Sequence, residues 1–131
     1  MKKLERNIFF HIKALKKVTG LTLEILADLK ANQLDHALEI IQRRDELLKV
    51  VFDLNNIIDG SLKEKMELEQ KDQLLIKAWK LDLAEWSNDQ ALQNEEIEAL
   101  LRVERDKITN EIAVIFDKKS RHKGYDLTNV K

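Results

Sequence analysis

Not one of the 131 residues is proline, and only three are glycine. These two residue types most often interrupt a helix, proline by its missing N–H and glycine by its backbone freedom. A chain almost free of them can run long helices, and its breaks must fall at Gly, Asn, Asp or Ser. Apolar residues recur at steps of three and four through most of the sequence, whereas the alternation of a half-buried strand is missing. The expected fold class is all-α.

The stripe of Leu4, Ile8, Ile12, Leu15, Val18, Leu26 and Leu29 predicts a first helix over residues 3–31, running on through Gly20. Asn32 reads as the N-cap of a second helix, 33–59, with Asp35 favouring its first turn. That helix carries Leu34, Leu38, Ile41, Leu48, Val51, Phe52, Leu54, Ile57 and Ile58. Between 47 and 58 the apolar residues cover more than one face, which implies burial on two sides or an exposed sticky stripe. Gly60 reads as a left-handed helix stop, and Ser61-Leu62-Lys63-Glu64 as a capping box opening a third helix, 62–86. Leu62, Met66, Leu68, Leu75, Trp79, Leu83 and Trp86 form its stripe. Ser87-Asn88-Asp89-Gln90 either caps a fourth helix, 89–119, or is a polar patch on one long rod. Leu92, Ile97, Leu101, Ile108, Ile112, Ile115 and Phe116 continue the pattern. Helices of about 25–30 residues are about 40 Å long and cannot bury a stripe alone. Short connections make neighbours antiparallel. The expected architecture is an elongated antiparallel three- to four-helix bundle with coiled-coil-like packing, one domain over 1–119, followed by a basic, flexible tail at 120–131.

Charge and composition narrow the function. Charged residues make up 36% of the chain and aromatics 5%, a balance suited to solvated helices. The net charge of −1 hides basic ends around an acidic middle: +5 over 1–20, −4 over 21–60, −5 over 61–100 and +3 over 101–131. A nucleic-acid binder should show denser Lys and Arg with aromatics between them for stacking. Here Glu and Asp interrupt the basic residues, which argues against nucleic acid. The absence of cysteine excludes disulfides, thiolate nucleophiles and thiolate-bound metals, and fits a reducing compartment. The basic start Met1-Lys2-Lys3 is followed by Glu5 and Arg6, and the apolar run behind them is too short for a secretion signal. No stretch is long enough to span a bilayer. A cytoplasmic protein without a membrane span is expected.

The three histidines, His11, His36 and His122, share no helical spacing, and none follows a glutamate by three residues. No metal or cofactor is read from this pattern, although ligands from different helices can still meet. His11 reads as a boundary residue. Glu64, Glu67, Glu69 and Glu95, Glu96, Glu98 read as solvated helix faces. With no glycine-rich phosphate loop, no G-x-S-x-G and no Ser/His/Asp set, no catalytic residue is assigned and no enzyme is expected.

What remains is apolar. Trp79 and Trp86 are two helical turns apart and share a face with Leu75 and Leu83. They either pack an ordinary core or line a groove for a partner's amphipathic helix, with Val50, Val51, Leu54, Ile57 and Ile58 as the opposite wall. Tyr125 stands apart in the basic tail as a candidate docking residue.

The run Leu34-Asp35-His36-Ala37-Leu38-Glu39-Ile40-Ile41-Gln42-Arg43-Arg44-Asp45-Glu46-Leu47-Leu48 resembles the second helix of the FliT/FlgN-type flagellar export chaperones. Glu96-Ile97-Glu98-Ala99-Leu100-Leu101-Arg102-Val103-Glu104-Arg105-Asp106-Lys107-Ile108 is similar to their last helix, and a basic run with a tyrosine, Lys118-Lys119 to Tyr125, follows it. Gly124 before Tyr125 departs from the helical context of such a tyrosine. The resemblance, leaning to the FliT-like members, implies a non-catalytic chaperone. It would bind the C-terminal segment of a filament-cap or hook-junction protein, prevent premature assembly, and meet an export-gate component through Tyr125, acting as monomer or homodimer. The alternative is a homodimeric coiled-coil adaptor or regulator with no export client.

Overall fold

A computed structural model describes the backbone of residues 2–64 and 68–130, and the side chains of 2–64 and 68–119. The described residues form three helices, α1 (Lys3–Lys30), α2 (Leu34–Glu64) and α3 (Gln70–Val130), and no strand. The all-α expectation therefore holds. The chain divides into two compact units, Met1–Ile97 and Glu98–Lys131.

In the first unit the buried residues of α1 are spaced as a coiled-coil seam: Leu4, Ile8, His11, Leu15, Val18, Thr22, Ile25 and Leu29. Their steps alternate between four and three, the a/d repeat of a heptad. In α2, Ala37, Ile40, Arg44, Val51 and Ile58 follow the same repeat, with Leu47 and Leu54 half-buried between them. Asp72, Ile76, Trp79, Gln90 and Ile97 do so in α3. Side-chain bonds at sequence separations of 67 to 71 run from the N-cap Lys2 to Thr22 of α1 and meet residues from Glu69 to Gln90 at and along the start of α3, so these two helices run parallel in one register. The short turn makes α2 antiparallel to both.

Leu4, Ile8, Ile58, Ile76 and Trp79 form one end of the core, with Leu62, Leu68 and Leu75 packed against it. Ala14, Leu15, Val18 and Val51 form the next stretch, packed by Leu47, Leu48, Leu83 and Trp86. Burying each such aliphatic side chain contributes about 1.5–3 kcal/mol. A polar layer interrupts the seam. Thr22 Oγ1 donates to Gln90 Oε1 at 2.9 Å, and Arg44 donates to Thr22 Oγ1 at 3.3 Å and to Asn94 Oδ1 at 2.9 Å. Burial lowers the Arg44 pKa, and Asp45 partly offsets this. A bonded polar layer inside an apolar seam penalises every slipped register, because slippage would strand its donors.

The helix boundaries depart from the sequence reading in three places. Asn32 is not an N-cap but the left-handed residue that ends α1, with φ 59°. Gln33 N–H bonds the Asp28 carbonyl at 2.8 Å and Asn32 N–H the Leu29 carbonyl at 3.3 Å, the paired bonds of a Schellman motif. Gly60 does not stop α2. No described glycine has positive φ, and the helix continues to Glu64 because Ile58 and Leu62 keep the stripe in the core. Tertiary burial there outweighs a glycine penalty of about 1 kcal/mol. The segment 87–90 starts no fourth helix. Ser87, Asn88 and Asp89 are exposed while Gln90 is buried and bonded to Thr22, making it a polar patch on continuous α3.

The domain limits differ as well. The first unit ends at Ile97, 3% exposed, rather than at residue 119. In the second unit Val103, Ile108, Ile112, Val114, Ile115 and Phe116 are all exposed, Phe116 at 71%. The backbone of the expected tail is helical through Val130. Met66 and the Tyr125 side chain lie outside the described residues. No described helix is long and apolar enough to cross a membrane.

Candidate functional site

The two tryptophans belong to the interior. Trp79 is 2% exposed, and its indole N–H donates to His11 Nδ1 at 3.0 Å, with the rings edge-on at 5.5 Å. Trp86 is half-buried, and its N–H is shared between the Leu15 carbonyl and Thr19 Oγ1, both at 3.1 Å. Val51 and Ile58 are buried, and Leu75 and Leu83 pack against the core clusters. Of the nine residues the sequence assigns to a groove, these six serve packing between helices. The reason is register: Trp79, Leu83 and Trp86 fall on the seam positions that face α1, so their side chains are spent inside the bundle.

The other three lie elsewhere. Val50 and Ile57 point outward from α2, 47% and 49% exposed, and Leu54 is half-buried. Val50 and Leu54 join Leu47 of α2 and Phe10, Lys13, Ala14 and Lys17 of α1 around an open groove of about 440 Å³. The groove has an apolar floor, an aromatic at one end and two lysines along the α1 rim. Phe9, 53% exposed, sits beside Phe10 with ring centroids 6.1 Å apart, and Lys13 Nζ lies 5.9 Å from the Phe9 centroid. A second open cavity of about 580 Å³, lined by Asp45, Leu48, Lys49, Phe52 and Asp53, opens on another face of the same stretch of α2. Phe52 there is 65% exposed.

Sequence reasoning missed Phe9 and Phe10 as surface anchors. The signal was available: adjacent helical residues are about 100° apart, and with Ile8, Ile12 and Leu15 on one stripe the two rings fall outside it.

Chemically, the α1–α2 groove is mainly apolar with two basic side chains. Its lining offers ammonium groups and hydrocarbon, with no carboxylate, hydroxyl or imidazole among the seven residues. His11 is fully buried rather than at a boundary. Its Nδ1 accepts from Trp79, so the proton of the neutral ring is on Nε2, which is buried without a hydrogen bond. Burial lowers its pKa, opposed by the Asp59 charge and by the Val51 carbonyl, which lies near the ring without reaching hydrogen-bond geometry. At the α1–α2 turn, Glu24, Asp28 and His36 bring metal-ligating atoms within 4.8 Å of one another.

No protein-family model, no curated protein and no solved structure matches this chain.

Proposed function

We propose that this chain is a non-catalytic binding protein whose α1–α2 groove receives an amphipathic helical segment of a partner. The observation that supports the reading is the groove itself: Leu47, Val50 and Leu54 beneath Phe10, with Lys13 and Lys17 on one rim. Helix-in-groove recognition uses this layout, in which a few large apolar anchors supply most of the energy. A client segment disordered on its own offsets its ordering cost by burying its apolar face there.

The resemblance to FliT/FlgN-type export chaperones names the client to test first, the C-terminal segment of a filament-cap or hook-junction protein held in the cytoplasm before export. Tyr125 is then the residue offered to the export gate. The test is co-purification of tagged chain with such a protein. Recovery that is lost when the partner's C-terminus is trimmed supports the chaperone reading. Equal recovery of the trimmed partner overturns the groove assignment.

A second reading has its own support in the unit Glu98–Lys131, where Ile108, Ile112, Ile115 and Phe116 are exposed on one helix. Exposed Ile and Phe at these steps suit self-association as a coiled-coil adaptor. Sedimentation separates the two: a dimer dissociated by Ile112→Glu favours the adaptor, and a monomer at tens of micromolar removes it.

A further inference from the structure

We propose that Glu24, Asp28 and His36 form a binding site for a divalent transition-metal ion of the zinc class, held across the turn between α1 and α2. Glu24 and Asp28 are one turn apart on α1 and share a face; His36 sits in the first turn of α2. One ligand atom from each lies within 4.8 Å of the other two. The sequence hides this set because its members come from two helices and meet only once the turn is closed.

That turn is fixed by the backbone. The two Schellman bonds and the left-handed Asn32 determine where α2 begins relative to α1. His36 is thereby delivered to the Asp28 side chain, with Nδ1 2.5 Å from Oδ2. Zinc binds nitrogen and carboxylate oxygen at about 2.0–2.2 Å, so tetrahedral ligand atoms lie about 3.4 Å apart. The Asp28–His36 pair has to open by about 0.9 Å and Glu24 to close by up to about 1.4 Å, within reach of small rotamer changes. Glu24 and His36 are both exposed and free to make them. Three protein ligands leave a position for water.

The donor set selects the ion. One imidazole with two carboxylates suits zinc, cobalt or nickel, whereas calcium and magnesium require more oxygen ligands at wider or stricter geometry. Local charge also favours a cation. Asp28 and then Glu24 and Glu39 raise the His36 pKa, while the nearby Lys30 is engaged with Glu96 at 2.9 Å.

The test is calorimetric titration of zinc chloride into the full chain and into Glu24→Gln and His36→Gln. One saturable site is expected in the wild type at pH 7.5, weakened at least about tenfold in each variant. Glu24→Gln leaves the Asp28–His36 ion pair intact, so a merely structural role predicts undiminished zinc affinity there. Zinc should also raise the thermal midpoint of the wild type but not of Glu24→Gln. No saturable binding below about 1 mM, or affinity unchanged by His36→Gln, overturns the site.

Discussion

His11 is a buried, neutral histidine, and its replacement by leucine has a worked consequence. At pH 7.5 two terms oppose each other. Removing the ring leaves the Trp79 indole N–H buried without an acceptor, at a cost of about 1–3 kcal/mol. The same change removes the unpaired His11 Nε2–H, a penalty of the same order that the wild type already carries. The net change at neutral pH is therefore small. The pH dependence is not. The folded pKa of His11 lies below the unfolded value of 6.5. As pH falls through 6.5 the unfolded chain gains a proton that the folded one does not take up, and stability is lost until the folded pKa is reached. One such proton is worth about 1.4 kcal/mol per pH unit. Between pH 7.5 and 5.5 the wild type should therefore lose more stability than His11→Leu, by at most about 1.4 kcal/mol, the ceiling set by the unfolded pKa alone. His36, with its pKa raised, acts in the opposite sense, contributing stability below 6.5 that fades as pH rises through its folded pKa; it is common to both proteins and cancels. Urea unfolding followed by circular dichroism at the two pH values measures the difference. Equal pH dependence in the two proteins would refute the neutral, Trp79-bonded assignment.

Other outcomes follow from the same structure. Gly60→Ala should stabilise the chain by about 0.5–1 kcal/mol, since the residue is helical and an added Cβ meets nothing within 4 Å. Destabilisation on urea unfolding would instead restore the left-handed stop. Trp79→Ala should cost about 3–5 kcal/mol as a core truncation, whereas Val50→Glu on the groove should leave the unfolding midpoint almost unchanged. Arg44→Met should be neutral or stabilising, because it exchanges a buried charge that makes no direct ion pair among the described residues for hydrocarbon of similar length. A loss above about 3 kcal/mol would show that the Arg44 bonds to Thr22 and Asn94 contribute more than register.

The class of fold and the course of α1 were legible because Leu4, Ile8, Leu15, Val18, Leu26 and Leu29 carry the helical period in unbroken apolar residues, and all six are buried. His11, Thr22, Arg44 and Gln90 were not legible as core. A polar residue on a seam is recognisable only beside its partner on another helix, and Thr22 gains its meaning from Gln90. Leu38, Phe52 and Leu92, expected on the stripe, are exposed because each lies one or two positions off the heptad seam, where periods of three and four are easily confused. Asn32 was placed in the right turn with the wrong role, since asparagine serves both as N-cap and as left-handed stop. The groove was assigned to tryptophans because large aromatics suit either a core or a hot spot, and only register decides between them. Glu24 and Asp28 have the i, i+4 spacing of one helix face, but no spacing brings His36 to them before the turn is closed.

The central functional claim is that the α1–α2 groove binds a client helix. Calorimetric titration of the full chain with a filament-cap or hook-junction C-terminal peptide, against Val50→Glu, tests it most directly. The account predicts saturable binding by the wild type and affinity at least about tenfold weaker in the variant, a loss of about 1.4 kcal/mol or more. Absence of binding to these peptides, or equal affinity in the two proteins, would contradict it.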